Sequence, residues 1–344
     1  MAGKRTPGDY GVNRQRRTAM LPLLLVGAIG GGMALPAPGA WLDQQRWAGQ
    51  SVSSWLIALM FFVYGLRLQP SAWRPRAGWM APASAALVVN LLLGPLAGLA
   101  VAAAVGAGEA LTLGLLAMSS VPPTLSSGIV VTDHAEGNAL AALFLTLLLT
   151  FTGLLVMPLI LSWTLRFGLD LALPIWPFAR RLAGLVLLPL IAGRLGQSLL
   201  GKRPLPGVLD TIPSLCVALV VYLPVSRHAG ALLGLSLREW FGLAGTALAV
   251  HLLLLAAAAA AGRVLRIPRA NRIALLFVAS QKTLPLALAV LAALAIPEGK
   301  QAFLPQATVV CVVFHFAQVL LDSALALALV RSLAPPSAVT GKNS

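Results

Sequence analysis

Ten stretches of about twenty mostly apolar residues follow one another along this chain, and that succession constrains its fold more than any other feature. Hydrocarbon offers no hydrogen-bond partners, so a spanning segment must satisfy its own backbone, and a helix does so. The apolar runs predict helices near 18–36, 50–68, 77–102, 108–132, 138–163, 178–199, 208–226, 238–262, 268–296 and 302–331. The expected fold class is therefore all-α integral membrane, with ten transmembrane helices. Charged residues make up 10% and hydrophobic ones 58%, against roughly 25% charged in an ordinary soluble domain. A soluble globular domain and a disordered chain are both excluded. The two cysteines, Cys216 and Cys311, lie in apolar runs and read as packed thiols.

A net charge of +15 would point to nucleic acid in a soluble protein. In a membrane protein, Lys and Arg collect on the cytoplasmic side instead, so no nucleic-acid partner is expected. With the N-terminus inside, the inner segments hold 17 of these residues and the outer segments 7. This predicts a multi-pass protein of the plasma (inner) membrane with both termini cytoplasmic. The basic start, residues 1–17, reads as a retained tail rather than a signal peptide. Residues 18–332 read as one transporter domain and 333–344 as a second tail.

Two spans are interrupted. The fourth carries Pro122 and Pro123 at mid-membrane, and the ninth carries Ser280, Gln281, Lys282, Thr283 and then Pro285. Proline removes a backbone N–H and clashes with the preceding turn, so each helix must open there. Open backbone at that depth survives only against protein or water, so both breaks should face the interior. One break in the fourth and one in the ninth of ten spans gives each half of five helices a break at the same place. An odd number of helices per half inverts the second half. The expected layout is two inverted five-helix repeats, about 18–163 and 176–332, with a site where the broken helices 4 and 9 meet.

PPTLSSGIVVT followed by GNALAALF, FVASQKTLPLAL, and FHFAQ in the last span resemble the bile acid:sodium symporter family, nearest to its sodium/bile acid cotransporter 7-like branch. The likeness runs over roughly residues 18 to 332. It implies a panel subdomain (spans 1, 2, 6 and 7) and a core subdomain (spans 3–5 and 8–10), with crossing, unwound fourth and ninth helices. Carried over residue by residue, it assigns ion or substrate binding to Ser126, Ser127, Thr146, Asn90, His251 and Gln281, with Thr124, Ser280, Lys282 and Thr283 completing the crossing. The chain departs from the pattern where sodium-coupled members have a Glu, four residues before the Gln; that position is Phe277. A hard cation wants several oxygen ligands, preferably with a carboxylate. Whether sodium binds stays open on this reading, and no other cofactor or metal is expected.

Lys282 is the residue that chemistry singles out. A Lys at membrane centre costs about 2.5–3.5 kcal/mol on insertion scales, which marks a functional site by default. The bland reading is that it bonds unwound carbonyls; the sharper one is that its ammonium stands where sodium would. A related version pairs it with an anionic substrate. Clustered intramembrane Asp and an HExxH motif are both missing, so an enzyme is not expected. The resulting expectation is a secondary active transporter of a small-molecule organic anion, working in the lipid bilayer by alternating access and independent of sodium. A sodium-coupled symporter with an altered ion site and a non-transporting regulator are the other two readings. His315, Gln318 and Asp322 share one stripe of the last span, and whether Asp322 pairs with Arg194 or Lys282 stays open on the sequence.

Overall fold

The computed structural model describes residues 23–67, 76, 78–124, 127–171, 173–200, 206–227, 229–294 and 303–331. Both expected tails and Ser126 lie outside them. Helix α1 (Leu23–Ala34) bends by 96° into α2 (Pro36–Gln44). A residue before proline is pushed out of the helical region, and Leu35 sits at φ −129°, ψ 70°. A two-strand hairpin follows, β1 (Arg46–Trp47) against β2 (Gln50–Ser51). Its central residues Ala48 and Gly49 have φ of 49° and 76°, the mirror-image turn that two-residue hairpins need. The Trp55 indole N–H donates to the Trp47 carbonyl at 3.0 Å and ties the hairpin down. Periodicity of apolar runs gave no sign of this hairpin, which makes the all-α expectation slightly too simple.

Among the described residues, the remaining helices of eight residues or more are α3 (Val52–Arg67), α4 (Met80–Ala104), α5 (Glu109–Ser120), α6 (Ser127–His134), α7 (Ala139–Leu169), α8 (Ile175–Leu200), α9 (Gly207–Arg227), α10 (Leu237–Val264), α11 (Arg269–Ser280), α12 (Leu284–Ala293) and α13 (Phe303–Arg331). Among the described residues, seven stretches are long and apolar enough to cross a membrane, counting α11 with α12, and the bent α1–α2 pair makes an eighth. The shorter α3 and α5 are apolar too. Most helix ends fall within a few residues of the sequence expectation; the bent α1–α2 pair runs furthest past it, to Gln44, and α7 runs on to Leu169.

Packing divides the helices into two groups. In one, α3 packs on α8, and α9 packs on α2 and α3. A Cβ on Gly65 of α3 would run into the Leu190 carbonyl of α8, and one on Gly193 of α8 into the Phe62 carbonyl of α3. Small residues thus let these two backbones touch, as lipid-embedded helices require. In the other group, α5 packs on α4, α7 and α13, and α10 packs on α4, α11 and α13. The groups meet where α12 touches α3 and α8 and where α13 touches α9. The α11–α12 span is 89% buried over its apolar window, against 22% for α8. The interrupted span therefore lies at the centre and α8 at the periphery.

Candidate functional site

Both spans are interrupted beside their prolines, and the two interruptions touch. Helix α5 stops at Ser120 and Val121 turns extended (φ −83°, ψ 152°), ahead of Pro122 and Pro123. Helix α11 stops at Ser280, and Gln281, Lys282 and Thr283 are non-helical before α12 starts. Pro285 sits in the first turn of α12, so it opens the second half-helix rather than marking the break itself. The Thr283 N–H donates to the Pro122 carbonyl at 3.0 Å, one break bonded to the other.

Several of the freed backbone groups have identifiable partners. Pro285 has no N–H for the Gln281 carbonyl four residues back, and the Asn90 Nδ2 donates to it at 3.0 Å, as well as to the Ala279 carbonyl at 3.0 Å. Gln318 takes both sides of Lys282: its Oε1 accepts from the Lys282 N–H at 3.1 Å, and its Nε2 donates to the Lys282 carbonyl at 2.6 Å.

The Lys282 side chain is fully buried, and its Nζ donates to the Asn90 carbonyl at 2.6 Å. That carbonyl is available for a local reason. Residues 88–93 of α4 form a wide π turn in which the Gly94 N–H reaches back to Val89. Gly94 would be the partner of Asn90 in an α-helix, and residue 95 in a π-helix. Residue 95 is proline and has no N–H. The Asn90 carbonyl is thus left over by both registers, and the ammonium takes it. A Cβ on Gly94 would come within 2.6 Å of Lys282 Nζ and 2.7 Å of the Ser119 carbonyl, so the ammonium fits only against glycine.

On the other side of the break, the Gln281 Oε1 lies 2.9 Å from the hydroxyl of Thr124 and 2.9 Å from that of Ser127, and the two hydroxyls also lie within hydrogen-bond distance of each other, so their two protons serve two of these three contacts. The Gln281 Nε2 donates to Asp322 Oδ2 at 2.7 Å. Asp322 Oδ1 meets His251 Nε2 at 2.8 Å, with both side chains fully buried. The carboxylate fixes which way round the Gln281 amide lies, since only Nε2 can donate to it. Asp322 therefore pairs with His251 and Gln281, not with Arg194 or Lys282. It was not among the expected site residues; the signal was a carboxylate in an apolar span, and its partners are set by tertiary contact.

The crossing thus brings together Asn90, Thr124, Ser127, His251, Gln281, Lys282 and the Thr283 backbone. Ser280 turns its hydroxyl to the carbonyls of Leu276 and Phe277 in its own helix. Thr146 is buried, but its hydroxyl meets no hydrogen-bond partner among the described residues. The same holds for Asn90 Oδ1, Ser120 Oγ and His251 Nδ1. Phe277 is fully buried in an apolar cluster with Val131, Ala135, Ile273 and Ala326.

A family model for SBF-like CPA transporters matches residues 19–331. A probable sodium/metabolite cotransporter BASS4, chloroplastic, of Arabidopsis thaliana is 30% identical over 318 residues, covering 89% of this chain and 71% of the relative. The protein of that name in Oryza sativa subsp. indica is 28% identical over 227 residues, 61% of this chain and 52% of the relative. Family and relatives are transporters and cotransporters by name, not enzymes, and the apolar helices make this a multi-pass membrane protein. The chain belongs to the SBF-like CPA transporter family, within the bile acid:sodium symporters.

Proposed function

We propose that this protein is a secondary active transporter of an organic anion, working by alternating access, with the Lys282 ammonium standing where a coupling cation would otherwise sit. The observation that carries the reading is the fully buried contact of 2.6 Å between Lys282 Nζ and the Asn90 carbonyl, at the crossing of two broken helices. The half-helices that start at the breaks, α6 and α12, present the positive ends of their dipoles there, which favours an anion as cargo. We read the seven long stretches, the bent α1–α2 pair, α3 and the interrupted α5–α6 pair as ten spans. They form two inverted halves, in the plasma (inner) membrane with both termini cytoplasmic. The packing group of α3, α8 and α9 is then the panel, and the group around the crossing the moving core.

A sodium-coupled symporter with an altered site is the second reading. The relatives are named sodium/metabolite cotransporters. Asn90 Oδ1, Ser120 Oγ and Thr146 Oγ1 are buried oxygens without a partner among the described residues, the kind of atom a small cation seeks. Against it, the position of the family's carboxylate is Phe277 in an apolar cluster, and an ammonium stands beside the Gln. The residues fit sodium poorly.

Thermal denaturation of the purified protein, with sodium titrated against choline at fixed ionic strength, separates the readings. The expected result is no sodium response in the wild type and sodium stabilisation in Lys282→Ala. Sodium stabilisation of the wild type puts the second reading first. No response from either protein removes a cation site from both readings and brings forward a uniporter or a membrane regulator that retains the fold.

A further inference from the structure

Two corners of the molecule share one backbone and carry opposite chemistry. The turn from α4 into α5 and the turn from α10 into α11 make the same hydrogen bonds, residue for residue. The Ala107 N–H donates to the Ala102 carbonyl at 2.9 Å, and the Ile267 N–H to the Gly262 carbonyl at 3.0 Å. Gly106 bonds back to Ala103 as Arg266 does to Arg263. At the left-handed position, φ 60° in one and 50° in the other, the first corner has Gly106 and the second Arg266. Glycine takes that backbone freely, and a residue with a Cβ is strained in it. At the start of the next helix the first corner has Glu109 and the second Arg269. A carboxylate suits the positive end of a helix, and a guanidinium there is unfavourable. The second corner thus places a cation twice where the backbone favours something else.

The arginines of this corner are set in a firm turn. Ile267 is buried beneath it. Arg272 is half-buried with its stem over Gly262, where a Cβ would come within 2.7 Å of its Cγ. Arg263, Arg266 and Arg269 are exposed, and so are Val264 (79%) and Leu265 (47%) between them. The turn between α6 and α7 lies alongside, its Asn138 N–H donating to the Ala270 carbonyl at 2.9 Å, and it carries the acids Asp133 and Glu136. The four arginines outnumber those acids two to one.

We propose that the α10–α11 corner is a docking site for an anionic phospholipid, with Arg263, Arg266 and Arg269 on the headgroup phosphate and Val264 and Leu265 against the acyl chains. The fork of a guanidinium matches two phosphate oxygens at once. A phosphate among the three arginines offsets the two local costs, at Arg266 and at the start of α11, in one step. The exposed valine and leucine favour a lipid over a free phosphate, because a bare ion leaves them in water. The proposal is independent of what the protein carries.

The test uses the full chain in a neutral detergent. The probe is dioctanoyl phosphatidylglycerol, with dioctanoyl phosphatidylcholine as its zwitterionic counterpart and glycerol 3-phosphate as the headgroup without chains. Binding is read by native mass spectrometry and by the shift in melting temperature. Phosphatidylglycerol should bind about tenfold more tightly than either of the others. Arg263→Gln and Arg269→Gln should each weaken it about fivefold, the contribution of one basic residue at an anionic surface. Arg266→Gly is the sharpest variant. Without lipid it should melt above the wild type, since glycine fits the left-handed turn, and yet it should bind phosphatidylglycerol about fivefold more weakly. An Arg266 that serves only the turn predicts unchanged binding. Arg238→Gln, exposed at the opposite end of α10, is the control. The proposal is overturned if phosphatidylcholine or glycerol 3-phosphate binds as tightly as phosphatidylglycerol, if Arg266→Gly keeps wild-type affinity, or if Arg238→Gln weakens binding as much as the corner variants do.

Discussion

Helices α4 and α8 contain the same local device and use it differently. Each has a wide π turn, at Val88–Leu93 in α4 and Ala183–Leu187 in α8. In each, the residue after the turn donates back five positions, Gly94 to Val89 and Leu188 to Ala183. In each, the next residue is proline, Pro95 or Pro189. One carbonyl is therefore left over in both, Asn90 in α4 and Gly184 in α8. The Asn90 carbonyl is buried and filled by the Lys282 ammonium; Gly184 is exposed at the edge of the molecule. Local sequence creates the unpaired acceptor, and tertiary position decides whether it becomes a site.

Matched substitutions at the two turns test this. Gly94→Ala should cost about 3 kcal/mol, because its Cβ meets both the ammonium and a backbone carbonyl that cannot move aside. Thermal unfolding in nanodiscs reads it directly, and an unchanged midpoint would mean the ammonium is not packed there. Proline replacements should differ in sign. Pro189→Ala supplies an N–H to an exposed carbonyl and should stabilise by about 1 kcal/mol. Pro95→Ala creates a rival for Lys282 and should destabilise by about 1–2 kcal/mol, since a buried cationic donor loses its acceptor. Equal signs in the same assay would break the comparison. Gly184→Ala has open space around it and should stabilise by about 0.5–1 kcal/mol through helix propensity alone. Lys282→Met should change stability least. The orphaned carbonyl costs about 1–3 kcal/mol, while removing a charge from the membrane centre returns about 2.5–3.5 kcal/mol. A near-unchanged melting midpoint together with an altered sodium response is the expected signature, and a collapse of the fold would make Lys282 structural.

The legible part of this molecule was what proline and charge dictate. Pro122, Pro123 and Pro285 announce two openings in apolar helices, because a missing N–H is a property of one residue. Lys282 announces itself by its cost. What stayed hidden depends on residues far apart in sequence. Asp322 is 71 residues from His251 and 41 from Gln281, and nothing in the spacing selects them over Arg194. The wide turn of α4 was readable only in part: Gly94-Pro95 marks a disturbed helix, but whether the backbone kinks or widens depends on packing. Thr146 shows the converse, since the family likeness pointed to it and no described hydrogen bond ties its hydroxyl to the crossing.

The crossing also has an electrical side. Lys282 and Asp322 have side chains of opposite formal charge and lie on either side of Gln281 inside one packed group of helices. A single elementary charge carried across a membrane potential is worth about 2.3 kcal/mol per 100 mV. A body that moves an ammonium and a carboxylate together moves no net charge of its own. For the alternating-access carrier proposed above, the empty stroke would then be insensitive to voltage, and any current would belong to the cargo.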